Sequence, residues 1–260
     1  MVRVPTVNLG SSGLQVSKLG FGTFHLGPAS LGMSPERGGR VLAESYKLGV
    51  RFWDTSDDYG SHPHVASALR HVPRKKVVIS TKTSAMSGEE AKKGLKTTLK
   101  ELDTDYVDIF LLHFVKSEWV DRSREVLKEL SEMKQSGVVK TLGLSTHSVA
   151  VVRDASRFEE LDVIMTICCK ADDAIIRKFP EHIPLEDGSM QEMFRAIKLA
   201  HSSGKGVIAM KVLGSSTPAL VSRYRSSIRA IARLDSVDVM IIGMKTVDEV
   251  KRNVEVILSG

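Results

Sequence analysis

Cysteine is nearly missing from this chain: there are two in 260 residues, and they are neighbours, Cys168 and Cys169. Adjacent Cα atoms stand about 3.8 Å apart, less than an unstrained disulfide spans, so a disulfide framework is excluded and two free thiols are expected. No apolar run approaches the length of a membrane span, and MVRVPTVNLGSSGLQVSKLG at the N-terminus lacks the apolar centre of a secretory leader. A cytoplasmic protein with no membrane partner is the expectation. Aromatic residues make up only 5%, and none interleave with a basic run, so the net charge of +6 does not read as a nucleic-acid surface. The 37 Lys and Arg lie among 31 Asp and Glu in segments such as EEAKKGLKTTLKEL and RSREVLKELSEMK, the pattern of solvated helix faces. A phosphate-bearing small molecule suits the excess equally well. Low-complexity tracts and linkers are missing too, so residues 1–260 are expected to form one domain.

What the sequence does have is repetition. Apolar runs begin near residues 18, 50, 76, 106, 139, 161, 206 and 237, and their nearly continuous Val, Ile and Leu content suits parallel strands buried on both faces. Helical patterns lie between them, two ending in KLG and SSG, where glycine stops a helix. Eight alternations favour an α/β fold closed as a (β/α)8 TIM barrel over an open doubly wound sheet. No G-x-G-x-x-G follows an early strand, and GFGTFHLG has the wrong spacing for that fingerprint. VNLGSSGLQVSKLG, before the first barrel strand, reads as a hairpin plugging the barrel bottom.

In such a barrel the C-terminal strand ends meet at one mouth. Asp54 ends the second run, Lys82 the third and His113 the fourth, and Tyr59 lies on the loop after the second. Each has an ordinary structural explanation alone: a turn cap, a solvated lysine, a core histidine, a packed ring. Together they make chemical sense. An ammonium near a phenol favours the phenolate, a carboxylate holds the ammonium in place, and an imidazole can orient a carbonyl or relay a proton. On this reasoning the Tyr59 pKa is expected to fall toward neutrality.

The segments DTSDDYG, LLH, GLSTHS, GVIAMKVLGSS and IIGMKTVDEVKRN, in that order, closely resemble the aldo-keto reductases. GFGTF is similar to that family's first-strand segment, and TLKELDTDYVDIFLLH to its third helix and fourth strand. The resemblance implies an NAD(P)H-dependent reductase of aldehydes or ketones with no metal. In it Tyr59 is the general acid, Lys82 its pKa modulator, Asp54 the partner of Lys82, and His113 the group that orients the carbonyl.

For the cofactor the resemblance implies contacts from Gly22 and Thr23, and from Ser145 and Thr146, Thr standing where the family usually has Asn. Met165 stands where Gln is usual, and Met210 where many members place a tyrosine under the nicotinamide. Lys211, Leu213 and Gly214 follow on the seventh strand's exit, and Gly243, Met244, Lys245, Thr246, Glu249 and Asn253 on the last strand and helix. Thr246 and Glu249 read as a T-x-x-E capping box. Lys245 points to NADP(H), whereas Glu249 replaces an arginine frequent in phosphate-preferring members, so NADP(H) is only slightly preferred over NAD(H).

Phe24, Trp53 and Trp119 are expected to line the substrate pocket. His62 and His64 of SHPH read as a turn at the pocket rim, not a metal pair, and the two cysteines as apolar filling. The chain stops soon after the last helical pattern, which predicts an open pocket and broad activity. The alternative is a nicotinamide-binding regulatory or scaffold protein with vestigial catalysis, and a metal-dependent barrel hydrolase ranks third. Oligomeric state is not legible.

Overall fold

Each of the eight apolar runs forms a strand in the computed structural model, which describes residues 3–169, 185–214 and 223–259. After a two-stranded hairpin, β1 (Thr6–Asn8) and β2 (Gln15–Ser17), come β3 (Leu19–Gly22), β4 (Phe52–Asp54), β5 (Val78–Thr83), β6 (Val107–Leu112), β7 (Val139–Thr146), β8 (Val163–Ile167), β9 (Gly206–Met210) and β10 (Val239–Gly243). From β3 to β10 each strand pairs in parallel with the next, and β10 returns to β3, closing the barrel. The helices are α1 (Pro35–Lys47), α2 (His62–Leu69), α3 (Gly88–Leu102), α4 (Val120–Gln135), α5 (Val149–Ala155), α6 (Met190–Ser202), α7 (Tyr224–Ala232) and α8 (Val247–Leu258). The helical pattern over residues 218–234 appears as α7, its first residues lying outside those described. Both glycine stops hold: Gly49 and Gly204 take φ values of 93° and 82°, which only glycine adopts cheaply.

Two apolar clusters divide the side chains. One fills the barrel, with Phe52, Ile109, Leu111, Met165, Ile208 and Ile241 among its members. The larger lies between the strands and the helices. Leu9 and Val16 of the hairpin region belong to the barrel cluster, and the Gly10 N–H donates to Asp238 just before β10, so the hairpin closes the N-terminal end. The other end is left for chemistry.

Strand period places Trp53 differently from its expected role. Side chains alternate along a strand, so with Phe52 inside the barrel Trp53 faces the helices, and it is 0% exposed in the outer cluster. It lines no pocket. Trp53→Phe is therefore expected to lower the unfolding free energy by about 1–2 kcal/mol, less than the ~3–5 kcal/mol of truncation to alanine. Denaturant titration checks this, with KM for any substrate unchanged.

Candidate active site

Asp54 closes β4 and Lys82 is the next-to-last residue of β5, so both side chains reach the C-terminal mouth from the barrel's inner face. The Lys82 Nζ donates to Asp54 Oδ1 at 2.8 Å, to Asp54 Oδ2 at 2.7 Å and to the Thr55 carbonyl at 2.7 Å. Lys82 is only 1% exposed. Burial pulls its pKa down, but Asp54 and Tyr59 outweigh burial and hold the ammonium above the ordinary lysine value. Burial also pushes the Asp54 carboxyl upward, with Lys82 opposing it.

A chain of buried hydroxyls fixes these strand exits. Thr23 Oγ1 donates to the Asp54 carbonyl at 2.8 Å, and Ser61 Oγ lies 2.8 Å from both Thr23 Oγ1 and Thr55 Oγ1. The carbonyl that receives Lys82 is thus part of a hydroxyl-braced turn. Ser61 and Thr55 carried no signal in the sequence, since serine and threonine are ordinary turn residues.

Tyr59 lies on the loop between β4 and α2. The loop turns at Gly60, which has φ 62°, and Gly27 packs so closely on the Tyr59 carbonyl that a Cβ there would collide with it. The phenol ring meets Phe24 edge-on at 5.1 Å between centroids and His113 at 5.9 Å, and the Lys82 Nζ stands 4.8 Å from its centroid. Burial raises the phenol above the ordinary tyrosine range, against the pull of Lys82 and with the push of Asp54 and Asp58. This reverses the direction expected from the sequence. The desolvation that comes with a barrel mouth outweighs one ammonium, so the resting phenol holds its proton.

His113 follows β6, its N–H donating to the Thr83 carbonyl at 2.7 Å. Its Nδ1 lies 3.2 Å from Ser56 Oγ and 3.6 Å from Asp58 Oδ2. Burial, then Lys82, pull the imidazole down to about 4, against Asp58, so the ring is neutral at pH 7. One ring nitrogen then donates and the other accepts. Asp57, Asp58 and His113 bring ligand atoms within 4.8 Å of one another, but both acids are exposed and no metal role is assigned to them.

The residues expected at the cofactor divide into two groups. Gly22 and Gly243 stand opposite each other across β3 and β10. A Cβ on the first would press on Ile241 and on the second on His25, so both positions require glycine; Gly22 is buried and Gly243 exposed. Lys211 has the left-handed φ of 54°, costly for a lysine. Burial pulls its ammonium below the ordinary value with no charged group opposing. Gly214 turns back to it, donating to the Lys211 carbonyl at 2.8 Å. The Thr246 Oγ1 caps α8 by accepting from the Glu249 N–H at 3.2 Å, and the Glu249 carboxylate accepts from the Lys245 N–H at 2.6 Å. One arm of the expected capping box is present, and the other falls one residue early. Met210 and Leu213 are half-buried against the apolar core, and Asn253 is buried on α8.

Other side chains expected at the cofactor are turned inward. Thr146 Oγ1 donates to the Val115 carbonyl and accepts from the Ser148 N–H, so its hydroxyl is already engaged. Thr23 spends its hydroxyl on Asp54 and Ser61, while Ser145 Oγ accepts from the Phe114 N–H at 2.9 Å. Met165 is 1% exposed among the barrel-filling side chains, and Met244 is buried toward the helices. Neither methionine offers surface to a ligand.

SHPH also differs from expectation. Pro63 sits in the first turn of α2, where its missing N–H costs nothing. His62 is buried, with Nδ1 2.7 Å from Glu101 and Nε2 3.2 Å from Thr81 Oγ1, while His64 Nε2 bonds the Met33 carbonyl at 2.8 Å. Both serve packing behind the barrel and neither reaches a pocket rim. Cys168 and Cys169 are buried thiols outside any disulfide, and burial raises the Cys168 thiol. Of the expected pocket residues, Phe24 is exposed beside Tyr59. Trp119 lines a cavity of about 260 Å³ together with His113.

The chain is thus a closed parallel barrel with a carboxylate, an ammonium, a phenol and an imidazole gathered at its C-terminal mouth, and comparison with known proteins places it in a family. The aldo/keto reductase family model matches residues 18–232, and the chain belongs to that family. Among curated relatives, it is 30% identical over 177 residues to Probable aldo-keto reductase 1 of Glycine max, covering 62% of this chain and about half (51%) of that protein. It is 25% identical to L-galactose dehydrogenase of Arabidopsis thaliana over 98% of this chain and 88% of that protein. The solved aldo-keto reductase AKR2E4 of Bombyx mori, in complex with NADP, shares the fold with a TM-score of 0.70 at 17% identity, over 98% and 88% of the two chains. Among the described residues no helix is long and apolar enough to cross a membrane.

Proposed function

We propose that this protein reduces aldehydes or ketones to alcohols with NAD(P)H, Tyr59 delivering the proton. The observation that carries this reading is the Lys82 ammonium, locked between Asp54 and Thr55 and seated 4.8 Å from the Tyr59 ring. The residues present fit a dinucleotide. Exposed backbone at Gly243, an ammonium at Lys211 with no hydrogen bond or ion pair to it among the described residues, and the start of α8 are features that accept a flat ring and anionic groups. Bound there, a reduced nicotinamide supplies hydride to the carbonyl carbon.

The chain's own groups manage the oxygen. His113, neutral, donates one N–H to the carbonyl oxygen, with Nδ1 accepting from the Ser56 hydroxyl. As negative charge grows on that oxygen, the Tyr59 phenol transfers its proton, and Lys82 stabilises the phenolate left behind. Asp54 keeps Lys82 charged and in place. Steady-state oxidation of NADPH and NADH with a panel of aldehydes tests the reading; no turnover with either cofactor rejects it. It also separates the alternative, a nicotinamide-binding scaffold with vestigial catalysis. The engaged Thr146 hydroxyl and the buried Met165 withdraw two expected cofactor contacts, which weighs on both readings alike.

Two further outcomes follow from the charges. With His113 titrating near 4 and Tyr59 raised, kcat/KM is expected to be level from about pH 5.5 to about 9, changing only as pH falls toward 4. An inflection at the ordinary histidine value of about 6.5 in a pH–rate profile contradicts this. NADP(H) is proposed as slightly preferred, through Lys245, with the Glu249 carboxylate opposing a phosphate at the start of α8. Glu249→Gln is expected to raise the NADPH/NADH ratio of kcat/KM by about two- to fivefold, the scale of one exposed charge pair.

A further inference from the structure

We propose that the preferred carbonyl substrates carry a carboxylate at the far end of a short apolar body, and that Arg122 receives it; this rests on the carbonyl-reduction reading above. The cavity of about 260 Å³ is lined by both His113 and Arg122, and its other walls include Ala85, Met86, Phe114, Val115, Trp119 and Val126. An occupant whose carbonyl meets His113 therefore extends along apolar wall toward a guanidinium. Phe114 and Met86, each 40% exposed, are two of the six large exposed hydrophobics among the described residues. Phe114 holds the left-handed φ of 55° and rests edge-on against His147 with centroids 4.6 Å apart. Large apolar surface left open at such a place is what an apolar ligand body covers.

Arg122 is aimed before any ligand arrives. Its Nε donates to the Met86 carbonyl at 2.8 Å and its Nη1 to Glu125 Oε2 at 3.1 Å. Among the described residues no hydrogen bond or ion pair engages Nη2. A guanidinium fixed through Nε presents a planar fork suited to a carboxylate. Glu125 is a weak competitor, since both members of that pair are at least half exposed. On the exposed side of His113 the charge is of the opposite kind, the Lys82 ammonium being buried against Asp54: Asp58 lies 3.6 Å from His113 Nδ1, and Asp57 is beside it. A carboxylate directly on the carbonyl, as in a 2-oxo acid, would face these acids. The class is therefore an aldehyde or ketone with a remote carboxylate.

The test compares 4-formylbenzoate with 4-methylbenzaldehyde, similar in size and differing in charge. The wild type is expected to favour 4-formylbenzoate in kcat/KM by about fivefold or more, through KM, the scale of a charge-assisted hydrogen bond. Arg122→Gln is expected to abolish that preference, Arg122→Lys to keep part of it, and Glu125→Gln, which frees the fork, to increase it about twofold. Phenylglyoxylate is expected to gain nothing from Arg122. No preference in the wild type, or equal losses on both aldehydes in Arg122→Gln, overturns the proposal. Calorimetric binding of 4-(hydroxymethyl)benzoate provides a readout that needs no turnover. Weaker binding in Arg122→Gln supports the subsite even if neither aldehyde is reduced, in which case the reductase reading alone fails. Equal binding in the wild type and Arg122→Gln overturns the subsite.

Discussion

Tyr59→Phe is expected to lower kcat/KM for aldehyde reduction by about 10³-fold, while the dissociation constant for NADPH, read by fluorescence titration, stays within about twofold. The substitution deletes one oxygen. Ring contacts with Phe24 and His113 and the position over which Lys82 sits depend on the ring and survive. Only the proton is lost, and with it the group that neutralises the forming alkoxide. Because burial keeps the phenol protonated, the wild-type acid is fully charged with its proton across neutral pH, so the deficit in the variant is expected to be as large at pH 8 as at pH 6. A variant that retains more than about a tenth of wild-type turnover removes Tyr59 from the role.

Lys82→Met is expected to be damaging twice. It leaves the buried Asp54 carboxylate without the ammonium that now donates to both its oxygens, and removing one member of a buried pair costs about 3–5 kcal/mol. The sign of its pH dependence follows. With Lys82 gone, burial outweighs the remaining pull of Ser80 on Asp54 and its folded pKa lies above the unfolded value, so the favourable contribution is present at low pH and lost as pH rises through the folded pKa. The variant therefore regains stability when the pH is lowered from 7 toward 5. Lys82→Met/Asp54→Asn is expected to recover much of the stability at pH 7 in denaturant titrations. Activity does not return, because the phenolate has no cation beside it. A single variant as stable as the wild type, or a double variant as active, contradicts this account of the pair.

The barrel was legible because parallel strands buried on both faces write themselves as apolar runs, and all eight runs became strands. The same property hid the facing of Phe52 and Trp53: hydropathy has no period in RFWD, and only the parity with Asp54, which must face the mouth to reach Lys82, assigns Phe52 to the barrel and Trp53 to the helices. The assembly of Asp54, Lys82, His113 and Tyr59 was legible from strand ends alone. Its electrostatic outcome was not, since the sequence shows which charges are near Tyr59 but not how much water they exclude. Pro63 looked like a turn because proline breaks helix interiors, yet the first turn of a helix tolerates it. Phe114 and Arg122 gave no signal, because a left-handed backbone at phenylalanine and an arginine held through a carbonyl of a distant loop are products of tertiary contact.

Reduction with NADPH deuterated at the transferring position of nicotinamide C4, followed by mass analysis of the alcohol, tests the central claim most directly. The account predicts deuterium on the former carbonyl carbon in the wild type, and label transfer slowed in Tyr59→Phe with the cofactor still bound. Alcohol formed without deuterium at that carbon, or equal label transfer in both proteins, contradicts it.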